Sequence, residues 1–366
     1  MPIDRGEAMP HDELRATVIV VNFNGGAFVL ECIESLSQQK TPGIHVEVVV
    51  VDNASTDGSD RQISQFYPDV RIIRSPKNIG FAGGVNLGIA NSTGDVIVLI
   101  NNDAVAAPGF ISAIVAPLVE DGNDRVAAIT ARILLSGRFV PAPGSPTAYV
   151  SASGARWERV ARNATPGSGV ALINSTGNQV SRSGNGRDRS WLDTTDDETS
   201  PVEVFGFSGG GAAIRRAALD SVGLFDERLF MYYEDTDLAW RLRRAGWSVR
   251  YAQDATVWHR HAASSGIRSP FFLSHNVRNR ILVTARNGTL RMLLSAVART
   301  GGSLAKALRR LARNGRDKDA RVQVRATALG LLQALLMMPG YITDGRLRDA
   351  GSRLPRSFIK QWTVDD

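Results

Sequence analysis

Three carboxylates fall within four positions, Glu234, Asp235 and Asp237, directly after Tyr232 and Tyr233. The dipole at a helix start favours carboxylates, so capping explains part of this cluster. Two tyrosines and three acids exceed what a cap requires. A carboxylate can take the proton of an attacking hydroxyl, and Asp235 is the candidate base. Asp237, two residues on, points elsewhere and is expected to pair with Arg241 at i+4. A second group is Asn101-Asn102-Asp103, which ends an apolar run. It reads either as a polar turn or as a one-carboxylate site for Mg²⁺ or Mn²⁺, completed by a diphosphate and another ligand. His259, in Trp258-His259-Arg260-His261 after Thr256-Val257, is the candidate second metal ligand. A third group is Asp52 to Ser59, again after an apolar run. Asp52 there can accept the N3–H of a uracil or thymine ring, with Asn53 and Ser55 as further polar contacts. Ser55 and Thr56 are equally good helix caps. Lys77 to Gly84, Lys-Asn-Ile-Gly-Phe-Ala-Gly-Gly, resembles a phosphate loop but departs from the Walker pattern, because its lysine comes first. It reads either as a loop against the nucleotide, with Asn78, Gly80 and the following Asn86, or as a tight turn.

These groups need elements to position them. Thr17 to Asn22 is a β-branched apolar run without alternation, the mark of a strand buried on both faces, and Val46 to Val51, Val70 to Arg74 and Val96 to Ile100 read as further strands. Amphipathic spacing between them, as in Phe28 to Gln39, predicts helices. Strand–helix alternation implies a mostly parallel α/β sheet flanked by helices, which binds ligands at the carboxyl ends of its strands. Asp52 and Asp103 both stand at such ends. Residues 137–200, rich in Gly, Ser, Pro, Asn and Thr, read as an irregular insert with short strands. A helix is expected after Gly209-Gly210-Gly211 and another over Asp235 to Ala245. From Pro270 onward the pattern is helical and Arg-rich, with helices expected over 277–285, 289–297, 305–312 and 322–338. The domains expected are a flexible N-terminus, 1–15, an α/β domain, 16–268, and a basic helical region, 269–366.

The chain has 366 residues and a net charge of +7, with 43% hydrophobic residues, enough to bury a sizeable core. Residues 268–366 carry 19 Lys/Arg and 6 Asp/Glu, a net +13, against −6 for the rest. Cys32 is the only cysteine, so no intramolecular disulfide forms and a reducing compartment fits. The polar first 15 residues lack the apolar core of a signal peptide, and the apolar run 326–338 is too short to cross a bilayer. A nicotinamide oxidoreductase is disfavoured because Asn22-Phe-Asn-Gly-Gly lacks G-x-G-x-x-G after the first strand. Nucleic-acid binding is disfavoured because the basic tail is helical with few aromatics. Basic amphipathic helices suit an anionic membrane surface, and packing on the domain or a homo-oligomer contact is the alternative.

The ordered set VIVVNFNG (18–25), VVVDNASTDGS (49–59), NIGFAGGVNLGI (78–89), VIVLINNDA (96–104), FSGGGAAIRR (207–216), GLFDERLFMYYEDTDLAWRLRRAGW (223–247) and VWHRHAASSG (257–266) resembles family 2 glycosyltransferases of the GT-A fold, nearest to bacterial rhamnosyltransferase-like members that build cell-wall polysaccharides. The resemblance covers residues 16–268. It implies an inverting transfer from a dTDP- or UDP-sugar, dTDP-rhamnose first and UDP-galactofuranose or UDP-GlcNAc as alternatives, to a glycan or polyprenyl-linked acceptor at the inner face of the cell membrane. It implies Asp235 as base with Glu234 beside it, Asp103 and His259 on Mg²⁺ or Mn²⁺, and Gly209 and Gly210 on the acceptor side. Nucleotide contacts would come from Asn22, Asn24, Asp52, Asn53, Ser55, Asn78, Gly80, Asn86 and Asn102. The segments Asn174 to Asn178 and Gly186 to Arg189 resemble an insert whose chemistry the resemblance leaves open. The Gln-x-x-Arg-Trp of processive synthases is missing, which implies one addition per encounter. Intact Asp103, Asp235 and His259 argue against an inactive nucleotide-sugar-binding scaffold.

Overall fold

The structure, a computed structural model, describes residues 14–120, 122–145, 148–151, 153–161, 167–260 and 269–366. The expected N-terminal segment lies outside them except for Leu14 and Arg15, which begin the first strand. His261 to Gly266 of the last motif lie outside as well.

In chain order the first half runs β1 (Leu14–Asn22), α1 (Gly26–Ser37), β2 (Ile44–Asp52), α2 (Ser59–Phe66), β3 (Arg71–Arg74), α3 (Gly80–Ala90), β4 (Val96–Ile100), β5 (Ala104–Ala106), α4 (Phe110–Val119) and β6 (Val126–Leu135). The insert supplies β7 (Phe139–Pro141), β8 (Tyr149–Val150), β9 (Arg156–Arg159), β10 (Ile173–Ser175), β11 (Asn178–Ser181) and β12 (Gly186–Asp188). Then follow β13 (Gly211–Arg215), α5 (Arg216–Val222), α6 (Glu234–Arg244), β14 (Ser248–His259), α7 (Pro270–Asn287), α8 (Leu290–Arg313), α9 (Lys318–Gly351) and β15 (Thr363–Val364).

The central sheet has the order β3-β2-β1-β4-β13-β6-β14-β5, with β10 paired to β6. β3, β2, β1 and β4 are mutually parallel, as are β6 and β14, while β13 runs antiparallel between β4 and β6. Side chains alternate across the sheet. Ala16, Val18 and Val20 meet α1 and α4 on one face, and Ile19, Val49 and Val51 meet α3 and α5 to α7 on the other. Residues of α8 and α9 belong to that second core, so the basic helical region is packed onto the sheet domain.

Two expectations change. Gly211 to Arg215 is a strand, although Ala-Ala-Ile-Arg-Arg-Ala-Ala has high helix propensity. Its small residues fit the sheet centre, where the Cβ of Ala131 would lie 3.0 Å from a Cβ on Gly211, and pairing on both edges outweighs propensity. The C-terminal helices are also longer than expected. The apolar run 326–338 is the middle of α9, which spans 34 residues and is, by length and composition, long and apolar enough to cross a membrane.

Buried ion pairs fasten the C-terminal helices to α6. Asp237 accepts from Arg241 Nε at 2.8 Å, the expected i+4 pair, and from Arg286 Nε of α7 at 3.0 Å. Arg286 also reaches Asp226 at 2.7 Å and Asp344 of α9 at 2.9 Å. Although burial opposes its charge, the two guanidinium groups hold Asp237 far below the usual carboxylate range.

Candidate active site

A cavity of about 780 Å³ opens at the carboxyl ends of the parallel strands. Asn101, Asn102 and Asp103 form one wall, since β4 ends at Ile100 and the chain must turn before β5. The thiol of buried Cys32 donates to the Asn101 carbonyl at 3.4 Å from behind this turn. β14 runs antiparallel to β5 with His259 opposite Ala104, which places the imidazole beside Asp103. His259 Nε2 lies 3.1 Å from Asp103 Oδ1 and 3.2 Å from Asn101 Nδ2. Its Nδ1 lies 2.7 Å from Asn174 Oδ1, an atom that can only accept, so Nδ1 donates there and Nε2 is the nitrogen turned to the carboxylate. An imidazole nitrogen and a carboxylate oxygen this close can ligate one cation, with Asn174 as the outer partner that fixes the ring. The described residues contain no group of three His, Cys, Asp or Glu side chains placed to share an ion. A Mg²⁺ or Mn²⁺ held here would need oxygen ligands from a diphosphate, which suits both ions.

Glu234 and Asp235 open α6 and line the same cavity. Asp235 Oδ2 accepts from the Gly209 amide at 3.2 Å, and Oδ1 accepts from Thr236 N at 2.6 Å. Burial raises the Asp235 carboxyl above its ordinary range despite these bonds. Burial and the adjacent Asp235 charge raise Glu234 well above its own, and Glu234 Oε2 has no hydrogen-bond partner.

The turn that delivers this pair is strained. Phe230, Tyr232 and Tyr233 have φ of 66°, 70° and 70°, a region costly for residues with side chains. Asn279 of α7 holds it, its amide donating to Leu229 O at 3.0 Å, Met231 O at 2.9 Å and Tyr232 O at 2.7 Å. Gly80 completes the clamp. It has φ +76°, and a Cβ there would meet the Phe230 carbonyl at 2.4 Å.

The insert closes the site. β10 carries Asn174 to His259, and the β11–β12 hairpin brings Gly186, Arg187 and Asp188 to the wall. Asp188 is pushed up to about 6, chiefly by burial, with a hydrogen bond from Ser175 opposing, and it feels the charges of Asp235 and His259. Tyr233 Oη accepts from Gly186 N at 3.0 Å, and Asn178 Nδ2 donates to Thr236 Oγ1 at 2.7 Å, stitching the insert to the start of α6. Neither Asn174 nor Asp188 stood out by chemistry in the sequence. The only signal was the pair of polar segments within the insert.

Of the expected nucleotide contacts, Asn53, Asn78, Gly80 and Asn102 line the cavity, as do Gly209 and Gly210. Asn22, Asn24, Asp52, Ser55 and Asn86 are not among its lining residues. Asp52 accepts from Asn22 Nδ2 at 3.0 Å and from Ser55 N at 3.0 Å, and Asn22 Oδ1 accepts from Asn102 Nδ2 at 3.2 Å. Ser55 Oγ accepts from Asn24 N at 2.9 Å, and Asn24 Oδ1 accepts from Thr56 N at 2.8 Å. This network joins the ends of β1, β2 and β4. Asn86 is spent on Phe225 and Glu227.

Comparison with known proteins agrees with this arrangement. The family model described as Glycosyl transferase family 2 matches residues 17–223, and one described as Glycosyltransferase like family 2 matches 195–280. The N-acetylglucosaminyl-diphospho-decaprenol L-rhamnosyltransferase of Mycobacterium tuberculosis is 29% identical over 283 residues, 68% of this chain and 77% of that protein. Among solved structures, GalNAc-T7 with UDP, GalNAc and Mn²⁺ superposes with a TM-score of 0.56 at 14% identity, over 90% of this chain and 58% of that one. Residues 1–349 of S. aureus TarS in complex with UDP-GlcNAc superpose with a TM-score of 0.51 at 15% identity, over 95% and 92%.

Proposed function

The chain belongs to glycosyl transferase family 2 and is a glycosyltransferase of the GT-A fold, and from that premise we propose that it moves rhamnose from dTDP-rhamnose, with inversion, onto a sugar carried by a polyprenyl diphosphate at the inner face of the cell membrane. The observation that carries this reading is that one cavity is lined both by Asp103 with His259, 3.1 Å apart, and by Asp235. The activity for which the mycobacterial relative is named supports the sugar and the lipid-linked acceptor.

In this reading Asp103 and His259 hold Mg²⁺ or Mn²⁺, which offsets the charge on the departing diphosphate. Asn53, Asn78, Gly80 and Asn102 lie along the nucleotide. Asp52, Asn22, Asn24 and Ser55 act one layer behind, shaping the strand ends. Asp235 takes the proton of the acceptor hydroxyl as its oxygen attacks the anomeric carbon. The anomeric C–O bond to phosphate breaks, and the nucleoside diphosphate leaves from the opposite side. Gly209 N–H and Thr236 N–H orient the base. Buried Glu234 beside it keeps a proton more readily and so limits like-charge repulsion. Gly210 lies along the acceptor. In domain terms, residues 16–268 form the transferase domain, and 269–366 brace it.

Incubation with dTDP-rhamnose, UDP-galactofuranose and UDP-GlcNAc, each with a short-chain polyprenyl-diphosphate sugar, tests the reading. Product from the first donor alone, with inverted anomeric configuration by NMR, is expected. Retention rejects the single displacement, and turnover of another donor reassigns the sugar.

A further inference from the structure

α9 is inside out for a helix in water. Its buried residues are mostly small, among them Ala326, Thr327, Gly330, Ala334 and Gly345, while its leucines face outward. Leu329, Leu332, Leu335 and Leu336 are 48, 56, 63 and 73% exposed. Helical spacing of three and four joins them with exposed Ala328 and Pro339 into one stripe. The small residues have a packing reason. A Cβ on Gly330 would meet the Ser274 carbonyl of α7 at 2.5 Å, and one on Gly345 would meet the Arg286 carbonyl at 2.4 Å. Close approach to α7 thus turns the large side chains away. A contiguous leucine face left in water marks a surface with a partner.

The charges say which partner. Arg321 and Arg325 precede the stripe and Arg346 follows it, all exposed. Arg309, Arg313 and Arg316 are exposed near the turn between α8 and α9. Between Arg321 and Arg346 the only carboxylate is Asp344, which is engaged by Arg286 and Arg348. A second copy laid along this stripe, in either direction, would set cation against cation. An anionic lipid surface neutralises them and takes up the leucines.

The helix that carries the stripe packs near the active site. Gly330 packs against Ser274 and Val277, less than two turns along α7 from Phe271 and Phe272, which line the cavity. We propose that the outer face of α9 seats the enzyme on an anionic lipid surface, with the cavity mouth beside the headgroups, so that a lipid-linked acceptor reaches Asp235 without leaving the membrane. This rests on the lipid-linked acceptor reading above.

The test is sedimentation of the full chain with vesicles of phosphatidylcholine alone and of phosphatidylcholine with phosphatidylglycerol. Binding is expected only to the second and weakens with salt. Leu332→Gln with Leu336→Gln should lower the vesicle association constant more than about tenfold. Arg321→Gln with Arg325→Gln should lower it about thirtyfold, at ~1 kcal/mol per cation. Circular dichroism and calorimetric affinity for dTDP should be unchanged in both variants. Vesicle binding indifferent to the leucine pair overturns the proposal. So does a dimer in sedimentation velocity that the leucine pair dissolves, which would make the stripe a self-interface. Transfer to a soluble acceptor analogue reports separately on the reaction. Loss of rhamnosyl transfer with vesicle binding intact refutes the donor and acceptor reading and leaves the surface standing.

Discussion

Asp235 titrates high because burial outweighs the two amide protons aimed at it. A base must be ionised to act, so kcat should rise with pH through a range above the ordinary carboxylate value of about 4. Asp235→Asn should cut turnover roughly 10²- to 10⁴-fold and leave dTDP affinity, measured by calorimetry, nearly intact. The same substitution bears on stability with a definite sign. A carboxyl whose folded pKa exceeds its unfolded one stabilises the fold below the unfolded value and loses that contribution as pH rises through the folded pKa. At pH 8 the Asn variant should therefore melt no lower than the parent, whereas a lower melting temperature would make Asp235 a structural cap. Asn174→Leu removes the acceptor that fixes His259. Mn²⁺ affinity in the presence of dTDP should fall about 10- to 100-fold, and EDTA should abolish turnover until Mg²⁺ or Mn²⁺ is returned. Asp103, Asp235 and His259 were legible from residue type and position at strand and helix ends. Asn174 and Asp188 were not, because a polar residue in a Gly/Ser-rich insert signals nothing until β10 and β12 have found their partners.

Elements meet at the left-handed turn before α6, where Asn279 serves three carbonyls at once. Asn279→Leu removes the donor to the Met231 and Tyr232 carbonyls, at a cost of about 1–3 kcal/mol each, while Leu229 O keeps Arg278. The expected outcome is a lower melting temperature together with a kcat loss larger than the loss in donor affinity, since the turn positions Asp235 and not the nucleotide. A kcat effect no larger than the affinity effect would remove the turn from the reaction. Asp237→Ala should be harsher, at roughly 3–5 kcal/mol, because buried Arg241 loses its carboxylate, while Arg286 keeps Asp226 and Asp344. Helix periodicity made α1, α6 and the C-terminal helices visible in the sequence. β13 escaped because Gly-Ala-Ala-Ile-Arg carries no strand signal of its own. Its identity comes from β4 and β6 on either side.

At the scale of the molecule, the basic helical region over 269–366 packs with the sheet in one body. Tyr341 of α9 and Ile359 near the C-terminus lie in the same core as β1 and α6, and β15 pairs with β11 of the insert. A chain ending near Ser269 should therefore lose activity by losing its fold, with a diminished near-ultraviolet circular dichroism signal and broad melting. A cooperative melt in that truncation would restore the two-part division. Composition showed the +13 charge of this region but not its brace, because the contacts of Asn279, Arg286 and Tyr341 reach far back along the chain. The Asn279 clamp also sets a timetable for synthesis. The turn bearing Glu234 and Asp235 leaves the ribosome before α7 exists to hold it, so in the proposed reaction a chain that stops short of Asn279 would lack the clamp that positions Asp235.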